Sequence, residues 1–174
     1  MKTVKRRSQK QEKSVAKDFN ARPTVASGAL WGMKGDVRND KFLIECKTTE
    51  KDYYSITAKV WEKIEKEALK DHMRIPLMII DLKDRERIIV FRPQDFLENG
   101  MTDIKHLFKT IPKSFRISGD LLGYNEQGDY VSMFTTCICG EKENVICFML
   151  YTDFYDQFKN ILEGNKCVKT CTAL

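Results

Sequence analysis

The chain has 174 residues and a mass of 20.3 kDa, which fits one domain with an elaboration and leaves room for a sizeable core. Hydrophobic residues make up 42% and charged residues 32%, and the apolar runs are far shorter than a bilayer span, so neither intrinsic disorder nor a membrane helix is expected. The net charge of +5 is uneven: residues 1–22 hold eight Lys/Arg against Glu12 and Asp18, and the rest of the chain sums to −1.

A concentrated basic arm suits a polyanion, because each Lys or Arg placed on a phosphate releases a condensed counterion. It equally suits a solvated N-terminal helix. The cationic residues 1–7 lead into the polar stretch 8–12 rather than an apolar one, unlike a secretory signal, and a cytosolic location is expected.

In chain order, Ser8–Phe19 reads as a helix, with Ser8 as N-cap, Gln11 in the capping-box position, and Val15 and Phe19 on one face. It stops before Arg22-Pro23, and Thr24–Trp31 reads as a strand running into a glycine-flanked bend. A hairpin follows: Gly35–Val37, a turn at Arg38–Lys41 and the strand Phe42–Thr48. The clearest helix spans Ile56–Asp71, where Ile56, Val60, Ile64 and Ala68 recur every four residues behind Ser55 as N-cap. Pro76–Leu82 and Arg87–Phe91 form a second hairpin, so the first half reads α-β-β-β-α-β-β. Beyond Arg92-Pro93 come a helical piece near Asp95–Leu107, the segment Phe115–Tyr124, a strand pair at Tyr130–Cys139 and Val145–Thr152, and a helix over Asp153–Leu162.

Six cysteines occur (Cys46, Cys137, Cys139, Cys147, Cys167, Cys171). In a cytosolic chain they read as reduced thiols. A turn at Gly140–Asn144 that brings Cys147 across from Cys137 and Cys139 would allow a structural Zn²⁺, but buried free thiols are the favoured reading.

Chemistry concentrates in Asp36 and in Glu45-Cys46-Lys47. Glu-x-Lys alone is common in a chain with 12 Glu and 21 Lys; its setting is what matters. On a strand Glu45 and Lys47 point to one face and Ile44 and Cys46 to the other. Two charges on an otherwise apolar strand are costly unless paired or metal-bound. The hairpin can bring Asp36 back across from Glu45, and two carboxylates with the Cys46 carbonyl and waters make a hard-oxygen site for Mg²⁺, with Lys47 beside it to activate a water or stabilise phosphoryl charge. The same spacing also fits a surface Glu/Lys salt bridge with Asp36 in a turn. His72 suits a helix C-terminus better than a catalytic base. Tyr53-Tyr54, following directly, is placed to meet a sugar-phosphate backbone.

Asp36, Glu45-x-Lys47, the apolar strand before them and the amphipathic helix after them resemble the PD-(D/E)xK nuclease superfamily, most closely its archaeal-type Holliday-junction resolvases, which also occur in phages. The resemblance covers residues 5–91. It implies an α/β, restriction-endonuclease-like fold, a mixed central sheet flanked by helices over residues 5–92; the basic arm over 1–22 stands beside it, and a C-terminal α+β extension over 93–174 exceeds what the small resolvases carry. The resemblance makes Glu12 a fourth, acidic member of the set, beside Asp36, Glu45 and Lys47, and Ala26-Ser27-Gly28 matches a strand in which Ser27 takes part. It further implies Mg²⁺, with Mn²⁺ as substitute, a homodimer that makes paired cuts in branched DNA such as a four-way junction, and no membrane. Lys5, Arg6, Arg7, Lys10 and Lys13 would then grip phosphates. Other expectations are a restriction-like or repair nuclease acting on duplex or flapped DNA, and an inactive DNA-binding protein that keeps the fold.

Overall fold

Residues 2–24, 35–83, 85–96, 110–118, 121–124 and 130–162 are described by the structure, a computed structural model. The chain runs α1 (Lys2–Asp18), β1 (Arg22–Pro23), β2 (Val37–Arg38), β3 (Phe42–Thr48), β4 (Tyr53–Thr57), α2 (Ala58–Lys70), β5 (Ile75–Asp81), β6 (Ile88–Phe91), a 3-10 turn (Pro93–Asp95), β7 (Ser114–Ser118), β8 (Gly123–Tyr124), β9 (Tyr130–Val131), β10 (Met133–Cys139), β11 (Glu143–Leu150) and α3 (Tyr151–Leu162).

Strand β3 is apolar on both faces at its start, which suits a central strand. Phe42, Ile44 and Cys46 enter one core with Val15 of α1, Phe19 just beyond it, and Phe154 and Phe158 of α3. Leu43 points the other way, into a second core with Trp61, Ile64 and Ala68 of α2. Seven strands form the sheet between these layers, in the order β1-β2-β3-β5-β6-β11-β10. Among the described strands only β3 and β5 pair in parallel, which demands a crossover, and β4 with α2 supplies it. This is the mixed central sheet flanked by helices that the restriction-endonuclease-like expectation calls for. Among the described residues no helix is long and apolar enough to cross a membrane.

Residues beyond 92 extend the same sheet: β11 pairs with β6, with Phe148 opposite Val90, and β10 pairs with β11. The β10–β11 turn lies on α2. A Cβ on Gly140 would stand 2.5 Å from Glu62 Oε1 and 2.9 Å from Ala58 Cβ, and the buried Glu62 carboxylate accepts from Lys142 N and from Asn144 Nδ2.

Several local expectations are corrected. Helix α1 begins at Lys2, so Ser8 is internal, no capping box forms, and Ser8 Oγ donates to Glu12 Oε1 (3.0 Å). Helix α2 begins at Ala58, not Ile56: Thr57 is the N-cap, in the β region, its hydroxyl accepting from Val60 N. Tyr53–Thr57 is instead an additional strand, in keeping with its aromatic and β-branched residues, and pairs with β7 so that Ser55 lies opposite Arg116. Of the helical piece expected over 95–107 only residues 95–96 are described, at the end of the 3-10 turn Pro93–Asp95, and of the segment expected over 24–31 only Thr24 is described; the rest of both lies outside the described residues. Cys147 aligns with Thr135, its sulfur 3.0 Å from the hydroxyl, while Cys137 aligns with Val145 and Cys139 with Glu143. Cys167 and Cys171 lie outside the described residues.

Candidate active site

Val37 lies opposite Ile44 across β2 and β3, and Asp36 precedes it, just before β2 begins. Gly35 turns the chain into this position with φ +70°, where a Cβ would come within 2.9 Å of Leu43 Cγ. The Asp36 N–H donates to Ile44 O (3.0 Å), and its Oδ2 accepts from Cys46 N (2.9 Å). The carboxylate is thereby fixed against the backbone of β3.

Alternation puts Glu45 and Lys47 on the α2 side of β3, with Leu43. Lys47 Nζ donates to Glu45 Oε1 at 2.6 Å, and the side chains are 33% and 19% exposed. Burial and the neighbouring Asp36 charge push the Glu45 carboxyl above its usual range, against the pull of Lys47 and of Lys63 on α2. Burial works against the Lys47 ammonium, but the bonded Glu45 carboxylate outweighs it and the lysine is raised overall. The half-buried Tyr54 phenol is raised by burial, with Lys47 and Glu45 acting on it in opposite senses. Asp36, Glu45 and Lys47 thus come together, joined by Tyr54 and overlooked by Lys63.

Glu12 stands on the α1 side, held by Ser8, with its charge felt at the Cys46 thiol. The α1 residue that reaches the strand is Gln11. It is 1% exposed; its Nε2 donates to the carbonyls of Lys47 and Ile79 (3.2 Å each), and its Oε1 accepts from Thr48 Oγ1 (2.9 Å). Sequence reasoning gave Gln11 a capping role, although its four-residue spacing to Val15 and Phe19 marks it as a polar residue on the buried stripe. Lys5, Arg6, Lys10 and Lys13 are exposed on α1, and Arg7 pairs with Glu50 just past β3 (2.7 Å). Ser27 lies outside the described residues.

Two carboxylates close enough for one to hinder the other's ionisation form a donor set that a hard divalent cation relieves. Among the described residues no group of three His, Cys, Asp or Glu side chains is arranged to hold a metal, so the fit is to a cation that takes two side chains and completes its shell with backbone and water.

No protein-family model and no curated protein matches the sequence. Among solved structures the chain is similar to Archaeoglobus fulgidus Hjc, a Holliday junction resolvase from an archaeal hyperthermophile, at 12% identity and a TM-score of 0.41, over 63% of this chain and 87% of that one.

Proposed function

We propose that the protein is a metal-dependent, structure-selective endodeoxyribonuclease that resolves Holliday junctions by paired phosphodiester hydrolysis as a homodimer. The observation that carries this reading is the meeting of Asp36, Glu45 and Lys47 at one partly buried point on neighbouring strands. The PD-(D/E)xK resemblance supports it. Asp36, Glu45 and the Cys46 carbonyl would hold Mg²⁺ or Mn²⁺, and a bound cation would lower the pKa of its water and offset phosphoryl charge.

The chain's own residues supply the rest. Lys47, held by Glu45, orients the attacking water and donates to the pentacoordinate phosphate, where its charge counts for more as negative charge develops. Asp36 is kept in place by the Cys46 amide. Lys5, Arg6, Arg7, Lys10 and Lys13 of α1 hold phosphates, Glu12 assists from the α1 side, and Ser27, which lies outside the described residues, is the further residue the resemblance implies. Residues 5–92 are the nuclease core, and 93–174 form an extension packed on it.

The test is cleavage of a labelled four-way junction with Mg²⁺ or with EDTA, beside linear duplex, flap and single strand. Symmetric paired cuts in the junction that need the metal are the expected result. Cutting of duplex or flap instead supports a restriction-like or repair nuclease, and binding without cuts in any substrate leaves an inactive DNA-binding protein.

A further inference from the structure

The two-stranded ribbon of β4 and β7 has unlike faces. Ile56 and Ile117 are buried in the α2-side core, with Tyr54 and Phe115 packed against it. The outward face carries Tyr53 and Ser55 from β4 and Ser114, Arg116 and Ser118 from β7.

On that face the Arg116 guanidinium sits 4.0 Å from the centroid of the Tyr53 ring, as the Ser55–Arg116 pairing allows for a diagonal neighbour. Lys51 Nζ lies 5.1 Å from the same centroid and donates to the Tyr53 hydroxyl at 3.2 Å. One ring therefore holds two cations, at most about 9 Å apart by those two distances. Both side chains are exposed, and neither makes an ion pair among the described residues. Nearby, Glu50 is taken by Arg7, and Asp52 is exposed. Like charges gathered on one ring are complementary to an anion that carries charge at several points, and a guanidinium held over an aromatic face keeps donors free for a phosphate.

The position is apt. Lys51 is four residues beyond Lys47, at most about 14 Å of extended chain, or about four nucleotide rises. The Arg7–Glu50 ion pair brings the basic face of α1 beside it.

We propose that the outer face of the β4–β7 ribbon is a phosphodiester-binding surface, on which Arg116 and Lys51, oriented by Tyr53, take phosphates of the DNA strand that passes through the active site. This rests on the nuclease reading and deepens it, because Arg116 lies in the C-terminal extension, which thereby contributes to substrate binding.

The test is fluorescence anisotropy of a labelled four-way junction with the full chain in EDTA, where no metal-dependent cut intervenes, across a salt series. The Lys51→Ala/Arg116→Ala double variant is compared with wild type and with Lys70→Ala, which removes an exposed charge at the far end of α2. A loss of about 10-fold to 100-fold in affinity at about 0.1 M salt is expected, with a log–log salt slope shallower by about two. Lys70→Ala leaves both unchanged, and Arg116→Lys recovers part of the loss. Circular dichroism of each variant checks the fold.

The proposal is overturned if the double variant keeps wild-type affinity and slope, if Lys70→Ala loses as much, or if an acidic protein rather than DNA is what the face retains. Because the readout is binding without metal, a chain that shows the expected loss yet never cuts DNA overturns the nuclease reading alone. A chain that cuts while the double variant binds normally overturns this inference alone.

Discussion

Under the proposed function Lys47 would serve two partners, the Glu45 carboxylate in the resting site and the phosphate during reaction. Lys47→Ala is expected to lower single-turnover cleavage by at least about 100-fold, while anisotropy shows junction affinity within about threefold of wild type. Cutting at the wild-type rate would mean that the chemistry lies elsewhere. Gln11→Ala leaves the Lys47 and Ile79 carbonyls short of a donor and the Thr48 hydroxyl short of an acceptor, and a loss of about 2–3 kcal/mol in urea unfolding is expected. Asp36, Glu45 and Lys47 were legible because a short hairpin and period-two alternation are local rules. Tyr54 and Lys63 reach the site only through the crossover, whose geometry no spacing announces.

At the scale of elements, the turn between β10 and β11 depends on a missing Cβ. Gly140→Ala drives a methyl into Glu62 and Ala58, which are walled in by α2, and should cost about 1–3 kcal/mol, read as a lowered midpoint in urea with an unchanged slope. Helix α1 acts as a unit of charge. Arg6→Ala with Arg7→Ala should flatten the salt dependence of DNA binding by up to about two in log–log slope, and a slope equal to wild type would remove α1 from the interface. The helical period over 56–71 was legible, but its first turn was misread. Ile56 continues the apolar stripe in sequence, yet in the fold it is a strand residue facing Phe115, and Thr57 takes the cap that Ser55 was expected to supply.

For the whole molecule, strand β6 decides whether residues 5–92 can stand alone. Ile88, Ile89, Val90 and Phe91 are all at most 1% exposed, and β11 covers their outer edge. Cutting the chain after residue 92 exposes side chains worth about 1.5–3 kcal/mol each, against a typical total stability of about 5–15 kcal/mol. The 1–92 fragment should therefore lack near-ultraviolet circular dichroism and dispersed amide resonances, and a well-dispersed spectrum would show an independent core. The strands beyond 92 were legible individually. Their place in the sheet was not, because the partner of β11 lies more than fifty residues earlier in sequence. Thr57 has a mechanical consequence: it ends one strand and caps the next helix, so the joint has no residues in which to bend. The ribbon and α2 must travel as one body, and any strain on the ribbon arrives at Glu45 from two sides at once, through Tyr54 and through Lys63.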